Sequence, residues 1–192
     1  MAQDFEAQSD EALIAAFVES GDQRPLEVLL ARHESRVFNL ALRILGNRAD
    51  ALDATQDVFL TVFRRASSFR HQAAFTTWLY RLTTNACHDI GRRKKRTPVP
   101  VEELPAEAGG SGESSSDTRL LVEQALRGLP LEQRAPIVMR DLYGMSYEEI
   151  AEATGTAAGT VKSRIARGRM RLAEMLAPLA GREPEPGRGP SN

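Results

Sequence analysis

A single cysteine, Cys87, in 192 residues excludes an intramolecular disulfide. Aromatic residues are scarce at 6%, while Ala, Leu and Arg are common, which favours helices over sheet. No alternating strand pattern of useful length is present. No window approaches the roughly 20 apolar residues a membrane helix needs. The N-terminal "MAQDFEAQSDEALIAAF" lacks both the basic start and the long apolar run of a targeting peptide. A cytoplasmic protein with no membrane insertion is therefore expected. His33 and His71 have no acidic or Cys neighbours at metal-ligand spacing. Cys87 and His88 are adjacent, so on a helix their side chains point about 100° apart. No Gly-rich phosphate loop occurs. The sequence thus gives no metal site, no cofactor and no catalytic site.

What is present is charge segregation within a nearly neutral chain, of formal net charge −1 and pI near 6.3. That balance speaks against a protein that only coats DNA. Yet "RRKKR", 92–96, is an unbroken basic run. Residues 101–117, "VEELPAEAGGSGESSSD", and 50–57, "DALDATQD", carry acids and no base. Lys162, Arg164, Arg167, Arg169 and Arg171 crowd ten residues, a surface for a polyanion. An apolar content of 42% supports genuine cores.

The Pro, Gly, Ser and acid content of 97–117 marks a flexible linker. The expectation is an all-α protein of two small helical domains, 9–96 and 118–179, with a disordered tail at 180–192. The first domain reads as four helices. Ser9 or Asp10 caps the first, which ends at Gly21. The second runs from Pro25 to Leu45, with Leu26, Leu29, Leu30, His33, Val37, Leu40 and Ile44 as its buried stripe. The third spans about Ala49–Ala66, and the fourth starts near Thr76 and enters the basic run. In the second domain, "RLLVEQALRGLP" and "LEQRAPIVMRDLYG" are two helices, the latter ending at Gly144.

Two further helices form a helix-turn-helix. Ser146 and Glu149 make a capping box that starts a helix at Tyr147. Small Ala151 precedes Gly155, where the chain takes a left-handed turn. Thr156 is placed to cap the next helix. On that helix Val161, Ile165, Leu172 and Leu176 share one face, while Arg164, Arg167 and Arg171 project from another. Such a helix can enter a major groove while its cations hold phosphates. By itself the motif fits a stand-alone DNA-binding regulator as well as a larger machine.

A second basic element, "FTTWLYRLTTNACHDIGRRKKR", has Phe75, Trp78 and Tyr80 at its start and cations at its end. Trp78 is either core or an aromatic that stacks on a displaced base. Asn85 is exposed or faces a ligand.

The run from "DALDATQDVFLTVFRRASSFRHQAAFTTWLY" through the acidic linker to "LEQRAPIVMRDLYGMSYEEIAEATGTAAGTVKSRIARGRMRL" resembles a bacterial RNA polymerase sigma factor of the small extracytoplasmic-function (ECF) group. The resemblance covers roughly residues 10–176. It implies a non-enzymatic specificity subunit that binds the polymerase core, reads the −35 and −10 promoter elements, helps open the latter, and is often held by an anti-sigma factor. Carried over by residue, Leu52, Asp53, Gln56 and Asp57 would contact the core polymerase. Phe69, His71, Trp78, Arg81, Asn85, Arg92 and Arg93 would meet −10 DNA. Thr160, Lys162, Ser163, Arg164, Arg167 and Arg171 would meet −35 DNA. Leu79 stands where housekeeping sigma factors carry a second aromatic, which implies weaker intrinsic melting.

Overall fold

A computed structural model describes residues 5–69, 74–96 and 113–180. Within these residues every regular element is helical. Helix α1 (Asp10–Ser20) starts at Ser9, whose hydroxyl accepts from the Ala12 amide at 3.2 Å, and ends at left-handed Gly21. Helix α2 (Arg24–Leu45) has Pro25 in its first turn, where the missing N–H costs nothing. The Gly46 N–H closes α2 on the Leu42 carbonyl at 2.7 Å, with φ 74°. The stripe read along α2 is buried at Leu26, Leu29, His33, Val37, Leu40 and Ile44, and Leu30 is half-buried.

Helix α3 (Arg48–Arg65) is capped by the Asn47 side chain on the Asp50 amide. A single 3-10 turn, Ala66–Ser68, follows it. Helix α4 (Phe75–Arg96) then crosses α2 and α3. These helices close over Leu13, Leu29, Val37, Val58, Phe75 and Leu79. Asp10, distant in sequence, binds the buried His33 Nε2 at 2.7 Å, and Glu11 accepts the Phe75 amide at 3.3 Å. Helix α1 therefore clamps the start of α4.

Helix α5 (Glu113–Gly128) begins inside the segment assigned to the linker, so residues 113–117 are helical. Composition misled here because Ser and Asp, poor in a helix interior, are favoured at a helix start, as is Glu. Residues 97–112 and 181–192 lie outside the described residues. Helix α6 (Leu131–Ile137) contains Pro136, and a π turn (Val138–Leu142) follows it, where the sequence reads one uniform helix. The proline ring removes one amide donor and crowds the preceding carbonyl, and the helix widens just beyond it. Helices α7 (Tyr147–Thr154) and α8 (Ala158–Ala180) complete the chain.

The two halves are not separate in space. One apolar cluster joins Leu40, Ile44, Tyr80, Cys87 and Ile90 to Val138, Met139, Ile150 and Ile165. Across it the Tyr80 and Tyr143 rings meet edge to face at 5.2 Å, and the Thr84 hydroxyl lies 3.5 Å from the Met139 sulfur.

Candidate nucleic-acid interface

The helix-turn-helix is built as its residues dictate. The Ser146 hydroxyl accepts from the Glu149 amide at 3.1 Å, and the Glu149 carboxylate accepts from the Ser146 amide at 2.7 Å. The Ser146 amide holds this carboxyl below the usual glutamate range. Gly155, at φ 62°, turns the chain, and the Thr156 amide donates back to the Ala151 carbonyl at 3.0 Å. The expected Thr156 cap does not form. Its hydroxyl pairs with Thr154 Oγ1 at 2.9 Å, while the Ala157 carbonyl accepts from the Val161 amide. Ala157, with no side-chain acceptor, occupies the capping position.

Val161 and Ile165 of α8 are buried and Leu172 and Leu176 half-buried, as their spacing requires. Buried Gly168 is a feature the periodicity did not flag. A Cβ there would lie 2.4 Å from Ile137 Cδ1 and 3.2 Å from Gln133 Cβ, so glycine lets α8 close on α6. The α8 cations are largely engaged. Lys162 lies over the Tyr147 ring, and Arg169 pairs with Asp141 at 2.5 Å. Arg171 donates to Gln133 and Arg167 to the Ser163 carbonyl. Arg164 does not share the outward face expected for it. It is half-buried against α4 and α6, 3.6 Å from the Glu132 carboxylate.

On α4, Trp78, Arg81, Asn85 and Arg92 recur along one side, with Trp78 half-buried and the other three exposed. Trp78 stacks obliquely on Phe69 and Phe75, at 5.4 and 5.8 Å between ring centres. Phe69 is largely buried in that cluster, which makes it a support for the Trp78 ring. His71 lies outside the described residues. The basic end of α4 is tied to acids, an arrangement the sequence did not reveal. Arg92 pairs with Asp89, Arg93 with Asp57 at 3.4 Å, and Lys94 with Asp50 at 2.6 Å. Leu52, Asp53, Gln56 and Asp57 are all exposed on α3, with Leu60 and Phe63 continuing the exposed apolar side.

Burial pushes the Cys87 thiol up to about 12, with the Asp50 charge adding to it, so it is not a nucleophile. Half-buried His88 is held below the ordinary imidazole value, first by desolvation and then by Arg164 and Arg92. Among the described residues no group of His, Cys, Asp or Glu side chains could hold a metal ion. Among them, too, no helix is long and apolar enough to cross a membrane.

Fold and surface define a helical DNA-binding protein that carries a helix-turn-helix and, packed against its first helix, an aromatic-basic helix. Residues 29–97 match the family model of sigma-70 region 2, and residues 119–172 that of sigma-70 region 4. The chain is 42% identical over 169 residues to the ECF RNA polymerase sigma factor SigM of Mycobacterium tuberculosis, covering 88% of this chain and 85% of that protein. It is 33% identical over 188 residues to the ECF RNA polymerase sigma-E factor of Escherichia coli, covering 91% and 97%. The sigma factor RpoE of Bartonella quintana, solved with the anti-sigma factor NepR, is similar in structure, with a TM-score of 0.63 at 28% identity over 77% of this chain and 94% of that one. The chain belongs to the ECF family of RNA polymerase sigma factors.

Proposed function

We propose that this chain is a promoter-specificity subunit that binds the RNA polymerase core and directs initiation at promoters with its own −35 and −10 elements. The observation that carries this reading is the face of α4. Trp78, Arg81, Asn85 and Arg92 line one side of a helix whose start rests on an aromatic cluster, in a chain that also carries a helix-turn-helix. A simple repressor needs only the second. Trp78 supplies a stacking surface at the edge of an opened duplex. Arg81, Arg92 and Arg93 supply phosphate contacts, and Asn85 a polar group toward the bases. Phe69 and His71 border the strand that leaves the duplex. Thr160, Lys162, Ser163, Arg164, Arg167 and Arg171 serve the −35 duplex. A bidentate Arg contact to guanine is worth about 1–3 kcal/mol of discrimination.

Leu52, Asp53, Gln56 and Asp57 form the surface for the polymerase core, an acidic patch with an apolar margin suited to a basic partner. The chain has no catalytic role of its own, the polymerase performs the chemistry, and an anti-sigma factor in the cytoplasm holds the subunit until it is needed. Promoter-directed transcription with purified bacterial core polymerase, on a library of randomised promoters, tests the reading. Recovery of templates with two fixed sequence blocks, dependent on this protein, is the expected result. Duplex binding with no effect on transcription would favour a stand-alone regulator. In the same assay Asp53→Arg with Gln56→Ala should weaken core binding roughly tenfold or more while the helical content stays unchanged. Core binding equal to wild type would show that this face is not the contact.

A further inference from the structure

We propose, resting on the role assigned above to Trp78, that Glu11 of α1 is a positioning residue for promoter opening. It caps α4 from outside that helix and so fixes the start of α4, where Trp78 stands. The cap is needed because α4 lacks one of its own. Its first internal bond runs from the Trp78 amide to the Ala74 carbonyl at 3.3 Å, so Ala74 holds the capping position, and its methyl group accepts nothing. The first amides of a helix must find acceptors elsewhere. The Thr77 amide goes to the Ala74 carbonyl at 3.0 Å, and the Phe75 amide goes to Glu11 Oε1 at 3.3 Å. A carboxylate there also meets the positive end of the α4 dipole.

Glu11 is itself held in register by its neighbours. Both oxygens of the adjacent Asp10 are engaged on α2, Oδ1 by Arg32 Nη1 and Oδ2 by the buried His33 Nε2, each at 2.7 Å. Arg32 also donates to the Glu6 and Gln8 carbonyls at 3.0 Å, which ties down the chain entering α1. Leu13 and Ile14 sink into the same core as Phe69 and Phe75. Helix α1 packs in addition on the 3-10 turn that precedes Phe69. From Phe75 the constraint passes on by direct contact. Its ring lies 5.4 Å from the His33 ring and 5.8 Å from the Trp78 ring, and Phe69 meets it edge to face at 5.8 Å.

Taking bases out of the stack is costly. A stacking surface that is already ordered does not add the cost of ordering it. Glu11 supplies that order without touching DNA. Its contribution falls on the step that opens the duplex, whereas contacts to the −35 duplex belong to α8. Loss of the cap therefore shows on a duplex template and fades where the −10 pairs are already apart.

Three variants of the full chain separate reach from charge. Glu11→Gln keeps an acceptor at the same length. Glu11→Asp keeps the charge in the first turn of α1 but is one methylene shorter, and Glu11→Ala loses both. Trp78 is the only tryptophan of the chain, so tryptophan fluorescence reports this site alone. Acrylamide quenching of the free chain should rise in Glu11→Asp and Glu11→Ala, with helical content retained, and stay at the wild-type level in Glu11→Gln. It should stay there too in Gly168→Val, which strains the contact of α6 with α8. Unchanged quenching in Glu11→Asp, or an equal rise in Gly168→Val, overturns the proposal. With core polymerase and a promoter recovered from the library above, Glu11→Asp should lower initiation from the duplex roughly fivefold, the order of one hydrogen bond, and from a template with an unpaired −10 region less than about twofold. Glu11→Gln should restore initiation. An equal loss on the two templates overturns the proposal as well. Absence of core-dependent transcription by the wild type would instead sink the sigma-factor reading, while quenching still decides whether Glu11 orders Trp78.

Discussion

Ala157 stands where α8 needs a side-chain acceptor and offers none. Its carbonyl receives the Val161 amide at 3.1 Å, but the other amides of the first turn gain nothing from a methyl group. Ala157→Ser should therefore stabilise the fold by about 1 kcal/mol. Thermal unfolding would register this as a rise of a few degrees, and an unchanged or lower midpoint would mean that the turn already satisfies those amides. The other cap of the motif gives the opposite expectation. Glu149→Ala removes the acceptor at 2.7 Å from the Ser146 amide and should cost about 1 kcal/mol, while Glu149→Gln, which keeps an acceptor, should cost less. Midpoints equal to the wild type's for both variants would show that the carboxylate contributes nothing through this hydrogen bond. The capping box was legible because its partners are three residues apart. Thr156 was misread because two neighbouring hydroxyls, Thr154 and Thr156, satisfy each other at 2.9 Å, a choice made by the turn. The bond between His33 and Asp10 was not legible at all, since it joins separate helices.

At the scale of helices, hydrophobic spacing located the elements, and glycines and prolines decided how closely they meet. The stripe on α2 and the Val161–Ile165 face of α8 could be read directly, because period and burial coincide. The π turn after Pro136 could not, because the spacing of apolar residues continues through it. Its exit is held by Arg140, whose guanidinium donates to the Met145 carbonyl at 2.7 Å. Gly168 carries the clearest consequence. Val at this position would place a Cβ 3.2 Å from Gln133 Cβ, which cannot swing away as the tip of Ile137 can. Gly168→Val should cost about 1–3 kcal/mol through overpacking between α6 and α8, despite removing a helix glycine. Urea unfolding of the full chain reads this as a lower midpoint at unchanged slope. A midpoint at or above that of the wild type would show that the two helices can part without loss.

For the whole molecule, composition pointed to two helical units and a tether, but not to their contact. That contact is made by residues whose individual signals are ambiguous, such as Tyr80, Thr84 and Arg164, and only the fold brings their partners near. His88 makes this arrangement sensitive to acid. It faces Arg92 and Asp89 on its own helix, Arg164 on α8 and Glu132 on α6, in a cleft that Asp57, Arg64 and Arg65 of α3 also line. Burial and the two arginines hold its imidazole below the ordinary value, so the packed arrangement of the two halves binds fewer protons than one with His88 in water. By linkage, the packed arrangement keeps its full advantage above about pH 6.5. It loses that advantage progressively as pH falls toward the depressed value, and below that value the loss levels off. Small-angle scattering of the free chain should therefore show a larger radius of gyration at mildly acidic than at mildly alkaline pH. In His88→Gln, which cannot take up the proton, that difference should shrink. The same pH response in His88→Gln as in wild type would place the sensitive group elsewhere.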